Sequence, residues 1–226
     1  MLLSYYKRMK RAEKEICPLC RNIKISWYAQ GESREYLSCS HCDLVYVPST
    51  YLISKIDEKA KYDNHQNSPQ NLGYRKFLNS LLEPLCSYLN SGDCGLDFGS
   101  GPGPTLCVMM KELGYTMDIY DYFYHDDKTV FKNSYDFITT TEVVEHLHNP
   151  YIEIDRLWKC LKAGGVLGIM TAFRPKQSDF KNWYYKRDMT HIRFFTKKSF
   201  KWIEKRVDAK LYIPEDGVVI LKKGSL

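Results

Sequence analysis

The sequence has no apolar run long enough to cross a membrane, and it has no internal repeat. The opening Met-Leu-Leu leads at once into Tyr5, Tyr6 and Lys7 rather than into the apolar core of a secretory signal. These absences disfavour the integral membrane, secreted and solenoid classes. We therefore expect a cytoplasmic protein with no membrane partner. Because thiols stay reduced there, the eight cysteines are expected to be metal ligands, core residues or reactive groups rather than disulfides.

The composition also lacks the marks of disorder, since 44% of the residues are hydrophobic and 27% are charged. The length of 226 residues suits one full α/β domain with a small accessory module, and it is too short for two large domains. We expect a zinc-binding module over residues 1–50, a polar linker over 51–73 and the main domain over 74–226.

Positive charge is concentrated in one segment. Residues 174–210 hold twelve Lys and Arg against four Asp and Glu, a local +8 within a net charge of +6, so the remainder carries −2. This asymmetry favours an anionic partner near the segment, such as RNA, a nucleotide sugar or another phosphorylated molecule. Solvated faces of a helix around residues 197–210 explain the same charges equally well.

Four cysteines form two Cys-x-x-Cys pairs with eighteen residues between them. Two such knuckles complete the tetrahedral four-sulfur shell of structural zinc sites, and this closed shell leaves no open coordination position. A redox dithiol normally uses one such pair beside a βαβ unit, not two pairs in a ribbon. His41 could replace a cysteine, but the regular spacing favours zinc ligands at Cys17, Cys20, Cys39 and Cys42.

Hydrophobic periodicity in the main domain alternates between strand and helix. Such alternation predicts a mostly parallel sheet with helices on both faces. The expected strands are at 95–98, 116–120, 137–140 and 166–171, the helices are at 74–89, 105–113 and 151–161, and a closing hairpin is at 211–213 and 218–221.

A glycine-rich turn follows the first strand of this domain. Gly99, Gly101 and Gly103 are spaced as G-x-G-x-G, and Pro104 stands where a dinucleotide fingerprint has its third glycine. Two prolines remove N–H donors, which disfavours a pyrophosphate cradle and a nicotinamide dehydrogenase. Asp97 and Asp121 end successive strands, so this edge suits a positively charged ligand without phosphate better than a dinucleotide.

Several segments resemble the class I S-adenosylmethionine-dependent methyltransferases. Residues 97–103, Asp-Phe-Gly-Ser-Gly-Pro-Gly, resemble the first motif of that family, and residues 136–147 resemble its fourth-strand motif. Residues 161–165, Leu-Lys-Ala-Gly-Gly, and residues 191–200 resemble later segments, so the likeness covers about 91–221. It implies a Rossmann-like α/β fold and S-adenosylmethionine as cofactor. The cysteine module is similar to zinc ribbons that precede some sugar-modifying and RNA-modifying methyltransferase domains.

The resemblance also implies roles for individual residues. Asp97, Gly99 and Gly101 would contact the methionine part of the cofactor, Asp121 the ribose, and Thr141 or Glu142 the face near the sulfonium. Only fourteen residues separate Asp121 from Asp136, so a third strand must be short, around 129–131, and the adenine-contacting acid is not assigned. The full predicted cofactor set is Asp97, Gly99, Ser100, Gly101, Asp121, Tyr122, Thr141 and Glu142.

Methyl transfer from a sulfonium is an in-line displacement, so the protein mainly has to hold the acceptor against the methyl group. A hydroxyl or carbon-acid acceptor would also need a base. His146 and His191 are the candidate catalytic imidazoles, and Glu145 is a candidate to orient one of them. Packing on the sheet is the structural alternative for His146, as local capping is for Glu145.

Three functions remain open on the sequence alone. The first is a methyltransferase for a small or nucleotide-linked acceptor. The second is an RNA methyltransferase that uses the zinc module and residues 174–210 to bind phosphates. The third is a non-catalytic methyltransferase-like interaction protein, against which the intact acids and glycines argue. The oligomeric state is not defined by the sequence.

Overall fold

The computed structural model describes residues 15–64 and 67–225, and within them the chain forms ten strands and six α-helices. The strands are β1 (Ile25–Gln30), β2 (Glu35–Cys39), β3 (Val45–Tyr46), β4 (Cys94–Phe98), β5 (Thr116–Tyr120), β6 (Tyr135–Thr141), β7 (Leu161–Met170), β8 (Arg193–Phe194), β9 (Ala209–Glu215) and β10 (Val218–Lys223). The helices are α1 (Lys55–Tyr62), α2 (Leu72–Cys86), α3 (Thr105–Glu112), α4 (Pro150–Cys160), α5 (Gln177–Phe180) and α6 (Lys197–Val207).

Six strands form the main sheet in the order β5-β4-β6-β7-β10-β9. β5, β4, β6 and β7 are parallel, whereas β10 runs antiparallel to both of its neighbours. The predicted Rossmann-like α/β fold with a closing hairpin is therefore confirmed. β5, which follows β4 in the chain, lies on one side of β4, and β6, which follows β5, lies on the other side. This change of direction opens a crevice at the carboxyl ends of these strands.

Helices cover both faces of the main sheet, as expected from the alternating periodicity. The apolar side of α2, which includes Leu78, Leu81 and Leu85, packs with Met110 of α3 in one buried cluster. Ile154 and Leu157 of α4 lie in the other cluster, together with Phe200 and Ile203 of α6. The side chain of Asn71 caps α2 by accepting a hydrogen bond from the backbone N–H of Tyr74 at 3.0 Å.

The expectation of a short third strand near residues 129–131 is wrong. Lys128–Lys132 form a 3₁₀ helix, which Asp127 begins by accepting a hydrogen bond from the N–H of Thr129 at 2.9 Å. The short connection between Asp121 and Asp136 leaves room for this single helical segment, so β5 is an edge strand of the sheet. The segment 51–73, which the sequence indicates is polar, contains α1 and the first residues of α2.

The cysteine-rich segment packs directly against the part of the chain that carries the main sheet. β1, β2 and β3 form an antiparallel sheet whose fourth strand is β8, through pairing of Val45 with Phe194 and Tyr46 with Arg193. Leu19, Leu37 and Leu44 belong to the same buried cluster as helix α4. The small sheet is thus completed by a strand that lies about 150 residues further along the chain.

Two arginines of the basic segment pack at this contact, where Arg193 is buried and Arg174 is partly buried. Arg174 Nη2 lies 3.1 Å from Asp43 Oδ2, and its Nη1 donates to the Tyr28 hydroxyl at 2.6 Å. Arg193 donates to the backbone carbonyls of Val47 at 3.2 Å and His148 at 2.8 Å. Part of the local positive charge therefore stabilises the packing of the small sheet.

Across residues 15–64 and 67–225, none of the helices has both the length and the apolar character of a membrane span.

Candidate cofactor and acceptor site

A cavity of about 990 Å³ lies at the carboxyl ends of β4, β5 and β6. This volume is at the upper end of the range for pockets that hold a cofactor and a small substrate. Both histidines predicted to be catalytic line the same cavity, whereas Glu145 lies behind them and is fully buried. All predicted cofactor residues line it as well: Asp97, Gly99, Ser100, Gly101, Asp121, Tyr122, Thr141 and Glu142.

The glycine turn has no room for a side chain at Gly99 or at Gly103. Gly99 has φ of +83°, and a Cβ there would lie 2.3 Å from Cγ2 of Val143. A Cβ on Gly103 would lie 2.1 Å from the carbonyl oxygen of Asn67. The N–H groups of Gly99 and Ser100 both donate to the carbonyl of Tyr120, at 2.7 and 3.1 Å. The turn is therefore held between the ends of two strands, and its backbone forms the cavity floor.

The Asp121 carboxylate holds the turn from the side of the cavity. Its Oδ2 accepts from the N–H of Gly101 at 2.9 Å, and its Oδ1 accepts from the N–H groups of Phe123 at 2.9 Å and Tyr124 at 3.2 Å. Each carboxylate oxygen has about two lone-pair directions. Three backbone N–H groups use three of these directions, so the group can accept about one further hydrogen bond, at Oδ2, while it keeps its backbone partners.

Asp97 lies deeper, with 2% of its surface exposed. Its Oδ1 accepts a hydrogen bond from the hydroxyl of Thr139 at 2.9 Å. Burial raises the pKa of Asp97 to about 7, and the negative charge of Asp121 adds to the rise. A cationic ligand would favour the ionised form of this carboxyl group.

Two acidic side chains converge on one tyrosine. The hydroxyl of Tyr185 lies 2.5 Å from Oε1 of Glu145 and 3.0 Å from Oε2 of Glu142, while Thr171 donates to Oε2 of Glu145 at 2.8 Å. Glu142 has a left-handed φ of +53°, which turns its side chain back towards this cluster. Burial raises the pKa of Glu142 to about 8, with a further rise from the charge of Glu145, and burial raises the pKa of Glu145 to about 7.

The two histidines lie side by side, with ring centroids 4.7 Å apart. His146 donates from Nδ1 to the carbonyl of Thr190 at 3.0 Å, and His191 donates from Nδ1 to the carbonyl of Tyr185 at 2.7 Å. Burial and the neighbouring His146 lower the pKa of His191 to about 4, so this ring is neutral at physiological pH. The hydrogen bond to the Tyr185 carbonyl leaves the lone pair of the neutral His191 ring on Nε2.

Several residues that shape the site were missed by sequence reasoning. Lys55, Glu58 and Tyr62 of α1 line the cavity at helical spacing, and that i, i+3, i+7 pattern was the available signal. Arg34 is 2% exposed and donates to the carbonyls of Lys186, Asp188 and Met189 at 2.7–2.9 Å. Nothing in the local sequence indicates that this arginine holds the loop preceding His191.

The four predicted zinc ligands come together. Their sulfur atoms all lie within 4.8 Å of one another, with Cys17 3.6 Å from Cys42 and Cys20 3.4 Å from Cys39. Sulfurs that share a tetrahedral zinc ion at about 2.3 Å lie roughly 3.8 Å apart, whereas a disulfide bond is about 2 Å long. The N–H of the residue after each knuckle donates back to its first cysteine carbonyl, which gives the two knuckles the same geometry.

The fold and this pocket define a class I, S-adenosylmethionine-dependent methyltransferase. Residues 70–212 match the family model described as a methyltransferase domain, and because that match spans more than half of the sequence, the chain belongs to this methyltransferase family. No curated protein matches the chain in sequence.

Solved structures show the same fold at low sequence identity. One is the 1,6-didemethyltoxoflavin-N1-methyltransferase of Burkholderia thailandensis, solved with S-adenosylhomocysteine (TM-score 0.53, 13% identity, covering 88% of this chain and 100% of that one). Another is a Methanococcus maripaludis protein provisionally assigned as an S-adenosylmethionine-dependent methyltransferase (TM-score 0.54, 13% identity, covering 77% and 96%). An O-methyltransferase family protein from Burkholderia thailandensis is similar as well (TM-score 0.52, 11% identity, covering 74% and 63%).

Proposed function

We propose that this enzyme methylates a small-molecule or nucleotide-linked acceptor by in-line transfer. The observation that carries the proposal is the single cavity that joins the glycine turn, the strand-end acids Asp97 and Asp121, and the imidazoles of His146 and His191. One end of this cavity suits a cationic adenosyl compound, and the other end presents polar groups to an acceptor. Its volume of about 990 Å³ admits both molecules together.

Asp97, Gly99, Ser100 and Gly101 would hold the methionine part of the cofactor, since the turn has close backbone approach and a buried carboxyl group beside it. Asp121 and Tyr122 would contact the ribose, and Thr141 and Glu142 would face the sulfonium end. The bound cofactor would supply an electrophilic methyl group. The protein's own part is to orient the acceptor, exclude water and receive a proton when the acceptor is a hydroxyl.

The neutral ring of His191 is suited to receive that proton through Nε2, because its Nδ1 is held by the Tyr185 carbonyl. His146 lies beside it, and Glu145 orients the cluster through its hydrogen bonds to Tyr185 and Thr171. We assign His191 and His146 as candidate catalytic groups and Glu145 as a positioning residue.

The four-cysteine cluster would hold one structural zinc ion, because its sulfur spacing and closed shell match that role. We keep the division into a zinc module over 1–50, a connecting segment over 51–73 and a methyltransferase domain over 74–226 as part of this proposal. RNA is the weaker candidate acceptor, since Arg174 and Arg193 of the basic segment are used in internal packing.

Titration calorimetry with S-adenosylmethionine, S-adenosylhomocysteine and NAD tests the proposal. We expect about 1:1 binding of both sulfur compounds with micromolar dissociation constants and no measurable binding of NAD. Binding of NAD without either sulfur compound would overturn it. RNA binding measured at rising salt concentration separates the two acceptor classes. Binding that weakens steeply with salt would indicate phosphate contacts and favour an RNA acceptor, whereas no RNA binding would favour a small acceptor.

The affinity for S-adenosylmethionine is expected to fall as the pH falls below about 7, the raised pKa of Asp97. Below that value the free protein carries a neutral carboxyl group, so cationic ligand binding must first remove a proton. The limiting slope is about a tenfold loss of affinity per pH unit. Calorimetry between pH 5.5 and 7.5 measures it.

Asp97→Asn is expected to bind the cofactor weakly and to lose most of this pH dependence. Asp216→Asn is the matched control, because the Asp216 side chain is 81% exposed and forms a long ion pair with Lys197 at 3.9 Å. An Asp97→Asn variant that keeps the full slope would assign the titration to a different group.

A further inference from the structure

A second cluster with metal-ligand chemistry lies inside the cavity region. One carboxylate oxygen of Glu145 and one ring nitrogen each of His146 and His191 lie within 4.8 Å of one another. Nε2 of His146 is 3.8 Å from Oε1 of Glu145. Two imidazoles and one carboxylate form a ligand set that is common to catalytic sites for divalent transition metals.

The hydrogen bonds behind these side chains have the arrangement found around metal ligands. A ligating histidine almost always donates its other ring N–H to a carbonyl or carboxylate, which fixes the ring and the tautomer. His146 does so to the carbonyl of Thr190, and His191 does so to the carbonyl of Tyr185. Glu145 is held at both oxygens, by Thr171 and by the Tyr185 hydroxyl. All three candidate ligands are therefore oriented in advance.

The charge balance of the cluster also points to a cation. Glu142 and Glu145 share the hydroxyl of Tyr185, which has a single proton to donate. Within residues 15–64 and 67–225, no lysine or arginine pairs with either carboxylate at 4.0 Å or less. Glu145 is fully buried and Glu142 is partly buried beside the same hydroxyl, so their ionised forms are costly unless a positive charge lies between or beside them. A divalent ion at the histidines would supply this charge.

We propose that Glu145, His146 and His191 bind one divalent transition-metal ion, with Glu142 beside it, and that the ion binds the oxygen of a hydroxyl acceptor. Ligand atoms that share an ion at about 2.1 Å lie roughly 3.0–3.5 Å apart, so shifts of about 1 Å would close the cluster around it. Three protein ligands leave coordination positions open for the acceptor.

The acceptor part of this inference rests on the proposed function, and it narrows the reaction to O-methylation. A hydroxyl bound to the ion is more acidic, so it loses its proton to water and keeps the electron pair. The new O–CH₃ bond then forms as the C–S bond breaks, and the sulfur leaves with that electron pair as S-adenosylhomocysteine. When the ion is bound, this route replaces the proton transfer to His191 that is proposed above for the metal-free site, because the Nε2 lone pairs of both imidazoles then bind the ion.

Metal binding is tested with the full chain by elemental analysis and by titration with Mn²⁺ monitored by electron paramagnetic resonance. Mn²⁺ suits the nitrogen and oxygen cluster and is a poor ligand partner for the thiolates of the cysteine site. We expect zinc and manganese together to reach about two ions per chain in the parent protein and about one in Glu145→Gln and in His191→Asn.

His148→Asn is the matched control, because His148 lines the same cavity but pairs with Glu58 at 3.8 Å, outside the cluster. It should keep about two ions per chain. A parent protein that binds one ion, or two ligand variants that both keep the second ion, would overturn the proposal. Calorimetry with S-adenosylmethionine on the same samples verifies folding and separates the two ideas. Cofactor binding without a second metal refutes this inference alone, and a second metal without cofactor binding refutes the proposed function alone.

Discussion

Cys39→Ser is expected to reduce zinc from about one ion per chain at the cysteine site to near zero and to unfold the small sheet. A structural zinc ion contributes folding free energy directly, and Cys39 is the last residue of β2 and is buried. The melting temperature should fall by roughly 10 °C or more. Each kcal/mol of lost stability lowers the melting temperature of a chain of this size by about 2–4 °C, and loss of the zinc should cost several kcal/mol. Inductively coupled plasma analysis and a thermal melt measure both effects.

Cys86→Ser provides the control, because Cys86 is a half-buried cysteine of α2 that lies far from the knuckles in sequence and outside the four-sulfur cluster. It should retain the zinc and lose little stability. If Cys39→Ser melts with the parent protein and resists proteolysis within residues 15–50, the metal is not what holds the small sheet together.

Loss of the zinc is also expected to disturb the loop that precedes His191. Arg34 connects the small sheet to the loop before His191 through three backbone carbonyls, and β8 pairs with β3 immediately after that loop. These contacts place Tyr185 and His191 at the cavity. If the cysteine cluster holds zinc as proposed, we therefore expect the metal to support the position of this loop as well as the small sheet.

The main sheet was predictable because strand and helix periodicities there are local. Thr116–Tyr120 was predicted with the observed bounds, and the hairpin of β9 and β10 was expected near its observed place. The glycine turn and its acids were also predictable, since a strand, a tight turn and a helix bring them to one edge whatever the rest of the chain does. For the same reason, every predicted cofactor residue lines one cavity.

The acceptor end was not predictable in the same way, because distant contacts build it. The hydroxyl of Tyr185 meets carboxylates that lie 40 and 43 residues earlier in the chain, and Arg34 reaches carbonyls more than 150 residues away. Local pattern carries no information about such pairings. The prediction of a third strand was wrong for a related reason. Residues 128–132 have the composition of a short strand, but the side chain of Asp127 caps a 3₁₀ helix there instead.

Gly99→Ala is expected to weaken cofactor binding strongly and to cost several kcal/mol of stability. Two effects combine at this position. An L-residue at φ of +83° costs about 1–2 kcal/mol, and the added Cβ would lie 2.3 Å from Cγ2 of Val143, which adds about 1–3 kcal/mol of overpacking. The turn would have to move away from Val143 and into the space for the cofactor. Calorimetry should show at least about a tenfold loss of affinity for S-adenosylmethionine.

Gly92→Ala separates the two effects, because Gly92 has nearly the same φ, +84°, but no atom within 4 Å of an added Cβ. It should lose only the backbone part of the stability and bind the cofactor as the parent does. Val143→Ala combined with Gly99→Ala removes the contacting methyl groups and should recover part of the affinity, while the backbone cost remains. Equal loss of affinity in Gly92→Ala and Gly99→Ala would mean that close packing of the turn against Val143 does not shape the cofactor site.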